Sequence, residues 1–207
     1  MKKSLLLLLL VCMIASTALV SAQSSVTVEV SQLYTSFRFN DSQSNNLNTE
    51  YKGIFTGGYG VGYRYVTNFG LIVKPGFGIH KSGADLIYDD MNYSWRLQYA
   101  DAKLGIGYIY ALDRISPYFV ASGYFSYLLN GTQALNNEHF NIIESELLDN
   151  LDYGIVFTPG VEIEFTKNIA SFLEFNYLMG LNNLEPDDSQ TSTNFAYSLT
   201  VGLAFTF

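Results

Sequence analysis

Few residues in this chain have the type and spacing for covalent or metal chemistry. His80-Lys81-Ser82 sets an imidazole and a hydroxyl two positions apart, which on a β-strand puts a base and a nucleophile on one face. That pair would suit hydrolysis of a lipid ester, but the sequence identifies no acid to orient the histidine. The other histidine, His139, has no ligand at metal-site spacing. The glycine clusters never take the spacing of a phosphate-binding loop. No catalytic residue, cofactor or metal is expected. What remains is ionic. Glu29, Arg38, Arg64, Lys74, Asp101, Lys103, Glu162, Glu164 and Glu174 stand singly within otherwise apolar or glycine-rich stretches. Charges so placed do their chemistry by pairing with each other out of water.

The elements that must position them begin after a leader. Lys2 and Lys3 precede an apolar run from Leu5 to Leu19, and Val20-Ser21-Ala22 puts small side chains where a signal peptidase reads. Residues 1–22 are read as a signal peptide and 23–207 as one domain. The only cysteine, Cys12, lies in the leader, so the mature chain has no thiol chemistry and no disulfide. The full chain carries 11 basic and 19 acidic residues, a net charge of -8. That balance excludes a nucleic-acid partner, which would need a basic stripe.

Beyond the leader no stretch is apolar for the roughly 18 residues that a membrane helix needs. The pattern has period two instead. Phe195, Tyr197, Leu199, Val201, Leu203, Phe205 and Phe207 hold every odd position at the C-terminus, with small or polar residues between. Four segments end alike: Gly60–Tyr65, Gly105–Tyr110, Gly160–Phe165 and Gly202–Phe207. The first three run into turn signals near 67–70, 113–116 and 166–168. Four strands that end alike need four returning, placed at about 26–39, 70–81, 117–129 and 171–181. The other connections, 40–51, 82–96, 130–151 and 182–194, are long and polar. Within the third, Asn141 to Leu151 has helical spacing, with Asn141 as its cap.

The expected fold is all-β: an eight-stranded antiparallel up-and-down transmembrane β-barrel with short periplasmic turns and long extracellular loops. A closed barrel pairs every backbone group in lipid. The aromatic parity faces lipid, with Tyr63, Tyr65, Tyr108, Tyr110, Phe165, Phe205 and Phe207 as the periplasmic girdle. The nine charged residues named above then form a lumenal network, beside inward glycines at 58, 60, 62, 76, 78, 105 and 107. His80 and Ser82 turn inward as well, away from acyl chains. Most of the acids, Asp152 among them, fall in or at the rim of the long loops. Eight strands enclose a space that side chains can fill, so a plugged lumen is expected.

Leu151-Asp152-Tyr153-Gly154 leading to Pro159-Gly160-Val161-Glu162, then Asn176–Asn183 and the closing Gly202–Phe207, resemble the last three strands of the PorT-like outer membrane β-barrel family of Bacteroidetes-type bacteria. The resemblance covers nearly the whole mature chain. It implies the outer membrane of a Gram-negative bacterium and a link to protein secretion, and carries no catalytic residues. Val201, Leu203, Phe205 and Phe207 also resemble the C-terminal signal read by the barrel-insertion machinery. Outer membrane lipid, lipopolysaccharide and that machinery are the expected partners, with room for an unidentified protein. The functional expectation is a non-enzymatic barrel acting through its extracellular loops in binding, envelope integrity or secretion. A lipid-modifying enzyme and a small-solute channel are the alternatives.

Overall fold

The computed structural model describes residues 23–40, 43, 50–88, 91–112, 114–136, 138–145, 148–186 and 190–207. The leader expected over 1–22 lies outside the described residues. The strands are β1 (Gln23–Asn40), β2 (Tyr51–Val66), β3 (Leu71–Tyr88), β4 (Met91–Ile109), β5 (Ile115–Leu135), β6 (Glu138–Asn141), β7 (Leu151–Thr166), β8 (Ile169–Gly180) and β9 (Thr191–Thr206). Eight of them close a ring in the order β4-β3-β2-β1-β9-β8-β7-β5, with β5 returning to β4. Every pairing is antiparallel. The first and last strands meet along their whole length, from Ser25↔Thr206 to Asn40↔Thr191. No ring strand is left with an open edge, the condition for placing a sheet in lipid.

The short β6 is outside the ring and pairs only with the end of β5, from Thr132↔Asn141 to Leu135↔Glu138. The expected loop 82–96 is largely strand, and 130–151 is strand over 130–135 and 138–141. The segment 82–96 continues the β3–β4 ladder as far as Tyr88↔Met91, and 130–135 continues β5 against β4. The physical reason is visible along β4. Its even positions face outward and read Tyr108, Ile106, Leu104, Ala102 and Ala100, then Gln98, Arg96, Ser94 and Asn92. Its odd positions face inward and turn apolar over that upper stretch, as Tyr99, Leu97 and Trp95. The alternation persists while the two faces exchange character. Polarity alone reads that stretch as loop, whereas it is strand that has left the lipid and entered water. A bulge sits at the change, where Gln98↔Asn130 gives way to Tyr99↔Leu128.

The expected helix is a correction of the same kind. Asn141 Oδ1 accepts hydrogen bonds from the Ile143 and Glu144 amides, as a cap should. Residues 142–145 then form a turn, not a helix. Ile142 is fully buried, its amide donating to the Gly131 carbonyl. Its burial in the barrel mouth outweighs the helical spacing.

Candidate functional site

The polar residues converge in the lumen, which has three storeys. At the short-turn end, Ile72, Ile109, Tyr118, Val120, Ala170, Phe172 and Ala204 form an apolar floor. At the loop end, Phe37, Ala84, Leu97, Tyr99, Leu128, Ile142, Leu148 and Leu184 form an apolar ceiling, with Tyr51 and Trp95 packed on it. Between them is a polar chamber with a cavity of about 80 Å³, lined among others by Lys103, His80, Ser31, Ser122, Asn176 and Thr200. A space of that size and polarity suits a few water molecules.

Strand parity delivers the charges to this chamber and register decides which of them meet. Lys74 on β3 lies 2.6 Å from Glu174 on β8 and 3.5 Å from Glu29 on β1. The Tyr118 hydroxyl donates to the same Glu174 oxygen at 2.7 Å. The Lys74 ammonium also lies 4.9 Å from the centre of the Phe172 ring, on the floor. Lower down, Arg64 on β2 is ion-paired with Glu162 on β7, and its Nε donates to Ser25 Oγ at 3.3 Å. Each pair is shielded from water, where an unmatched charge would cost several kcal/mol.

His80 has an acid partner that the sequence did not identify. Its Nδ1 is 2.7 Å from Asp101 Oδ2, Ser126 Oγ donates to Asp101 Oδ1 at 2.6 Å, and the ring stacks on Tyr99. A base with an orienting acid is two thirds of a hydrolase triad. The third member is elsewhere, because Ser82 Oγ donates to Asn194 Oδ1 at 3.3 Å. Asn194 and Tyr124 in turn donate to Asp152 Oδ2, at 2.9 and 3.1 Å. The two clusters lie between the floor and the ceiling. Their hydrogen bonds tie strands together, and among the described residues Ser82 is bonded to Asn194 and not to the imidazole.

Three placements differ from the expectation. Arg38 is not in the lumen. Glu29 and Arg38 have opposite parity on one strand, so only one of them can face inward without a bulge. Arg38 lies outside, its guanidinium 5.3 Å from the Phe195 ring centre and bonded to the Tyr177 hydroxyl. Glu164 has inward parity but stands exposed at the short-turn rim, where its amide donates to the Arg114 carbonyl. Asp152, read as a loop-rim acid, is buried in the lumen at 2% exposure. Lys103 faces the cavity and, among the described residues, makes no ion pair. Asp152 left one usable trace in the sequence: it shares parity with Thr158 and Glu162 on β7. Nothing local could have shown that Tyr124 and Asn194 would meet it.

Outside, Val201, Leu203, Phe205 and Phe207 are all exposed, continuous with Val26, Val28 and Val30 on β1. At the loop end Phe175, Tyr177, Phe195 and Tyr197 form a chain of ring contacts. Exposed Tyr63, Tyr108, Tyr110, Phe165, Phe205 and Phe207 occupy the other end, giving two aromatic girdles.

A family model described as outer membrane protein beta-barrel domain matches residues 21–185. No curated protein sequence gives a significant match. Among solved structures, OprG from Pseudomonas aeruginosa superposes with a TM-score of 0.54 at 8% identity, covering 89% of this chain and 97% of its own. Neisserial surface protein A gives 0.53 at 12% identity, with 90% and 99% covered. Ail, the attachment invasion locus protein of Yersinia pestis, solved with the heparin analogue sucrose octasulfate, gives 0.51 at 13% identity, with 90% and 99% covered. At such identities the likeness establishes the fold.

Proposed function

The chain belongs to the outer membrane protein beta-barrel domain family, and from that premise we propose that it is a sealed, non-enzymatic barrel that works through its loop-end surface. It resides in the outer membrane of a Gram-negative bacterium, and its tasks are binding, envelope integrity or support of protein secretion. One observation supports this reading: apolar clusters lie above and below the ion-paired chamber. A solute path would have to breach both, and a lipid substrate would have to pass one of them to reach His80.

The same geometry speaks against the two alternatives. A channel needs a continuous aqueous path. A lipid-modifying enzyme needs its base near acyl chains and a nucleophile within hydrogen-bond reach of that base. The narrower kinship with PorT-like barrels, and with it the secretion role, rests on the strand sequences around 151–162, 176–183 and 202–207. The exposed C-terminal stripe Val201, Leu203, Phe205 and Phe207 is the surface that the barrel-insertion machinery would read.

The full-length protein, refolded into planar bilayers, is expected to pass no current. Steady single-channel steps would overturn the sealed reading. A partner is sought by affinity pull-down from native envelopes, with Glu138, His139 and Phe140 of β6 replaced by serine. These residues are exposed, and their replacement leaves Ile142 in the ceiling. Loss of a captured protein, with heat-modifiable gel migration intact, is the expected result.

A further inference from the structure

The outer face of the barrel carries a cation set among aromatic rings at the loop end of β1. Arg38, near the loop end of β1, forms no ion pair with any carboxylate among the described residues. Its neighbours are aromatic. The guanidinium lies 5.3 Å from the Phe195 ring centre and 6.0 Å from that of Tyr177, and it donates to the Tyr177 hydroxyl. Tyr177 and Phe195 both contact Tyr197, which reaches Phe175. Arg38 thus caps the loop-end aromatic girdle, at the level where lipid gives way to headgroups.

The positions beside it are also hydrogen-bond donors. Thr193 is directly opposite Arg38 in the β1–β9 ladder, and Thr191 is opposite Asn40. Directly opposed residues share a face, so Arg38, Asn40, Thr191 and Thr193 form one outward patch. Asn40 Nδ2 reaches Thr191 Oγ1 at 3.4 Å. None of the four is acidic, in a chain with 19 acids to 11 bases. A planar guanidinium held by rings, with hydroxyl and amide donors alongside, matches the tetrahedral oxygens of a phosphate. Apolar rings directly below match acyl chains.

We infer that Arg38, Asn40, Thr191 and Thr193 bind the phosphorylated headgroup of an outer-leaflet lipid, whose acyl chains lie along Phe195, Tyr197 and Phe175. The inference rests on the outer-membrane placement and is independent of whether the lumen is sealed. The lipid would be held against the β1–β9 seam, where the two ends of the chain meet and the ring closes.

The test uses the full-length folded protein in nanodiscs, with diphosphoryl lipid A and lipid A stripped of its phosphates as the two probes, read by native mass spectrometry. Wild type is expected to hold the phosphorylated form about fivefold more tightly, the scale of one well-placed cation at a membrane surface. R38Q is expected to abolish that preference with heat-modifiable migration unchanged. R38K should keep part of it, because the charge survives while the planar fork is lost. Should R38Q fail to fold, R38K and T193V read the same patch, each lowering the preference. Equal retention of both probes by wild type, or an undiminished preference in every folded variant, overturns the inference. Full displacement by inorganic phosphate overturns the lipid assignment in favour of a soluble anion. Bilayer current from the same preparation would sink the sealed-barrel reading and leave this one standing.

Discussion

The Lys74 ammonium and the Glu174 carboxylate, 100 positions apart in the chain, meet at 2.6 Å across the lumen. Glu29 stands on the far side of the same ammonium at 3.5 Å, and the Tyr118 hydroxyl holds the Glu174 oxygen. One cation thus links β3, β8 and β1, with β5 bound through the tyrosine. The floor's Phe172 ring lies beneath it. The contact joins the polar chamber to the apolar layer at the short-turn end.

The two ends of that pair are not equivalent. Lys74→Met leaves Glu29 and Glu174 facing each other without a cation and is expected to cost about 3–5 kcal/mol, the scale of a broken buried pair. Glu174→Gln leaves Lys74 with Glu29 and should cost clearly less. Urea unfolding in detergent micelles, followed by heat-modifiable gel migration, ranks the two. Equal losses would contradict the pairing.

The floor and ceiling act in series. Phe172 is buried at 2% exposure, and Phe172→Ala should cost about 3–5 kcal/mol. Truncating floor residues Ile72 and Phe172 alone should leave planar bilayers silent, as should truncating ceiling residues Leu97 and Ile142 alone. Current should appear only when both layers are thinned. Conduction after opening one end would place the seal elsewhere.

Depth sets the tolerance of the outer face. Val201 is exposed and well inside the girdles, pairing with Val30 and Leu173. Val201→Arg is expected to cost about 2–4 kcal/mol, and Phe205→Arg, nearer the short-turn interface, no more than about 1 kcal/mol. Ala204→Arg should fail for a different reason, since Ala204 is fully buried in the floor. Folding titrations into vesicles of differing thickness separate the lipid-facing losses from the packing loss, which should not depend on thickness.

Gly83 marks the passage from membrane wall to extracellular extension. Its φ is +148° and its carbonyl accepts from Thr35 Oγ1 at 2.9 Å. A Cβ there would lie 2.0 Å from the Trp95 carbonyl oxygen. Gly83→Ala should loosen the β3–β4 extension while sparing the membrane ring, a cost of order 1–3 kcal/mol. Hydrogen exchange should quicken over 84–97 and stay slow over 100–109. Uniform change along β4 would argue against two separable storeys.

Parity along a strand is a local property, and much of the fold follows from it. The repeated glycine-to-aromatic endings of Gly60–Tyr65, Gly105–Tyr110, Gly160–Phe165 and Gly202–Phe207 fixed four strands. The turns after three of them fixed the returns, and ring closure follows because lipid tolerates no open edge. Parity also sent Arg64, Lys74, Asp101, Lys103, Glu162 and Glu174 inward. Where the reading departed from parity it erred, at Arg38. Where polarity was read in place of parity, strand passed for loop at 82–96.

Partnership is another matter, because it depends on register summed around the ring. That Lys74 meets Glu174, that His80 finds Asp101, and that Asp152 is held by Tyr124 and Asn194 all require strands that only closure brings together. The exchange of inner and outer character above Gln98 is likewise set by where lipid ends. So the sequence alone determined how many strands the ring has and which way most side chains point, while the short β6 outside the ring went unread. Tertiary structure decided which charges neutralise each other, and that apolar clusters lie on both sides of the chamber that holds them. Alternation is written residue by residue, whereas contacts across a barrel depend on the stagger of all eight strands.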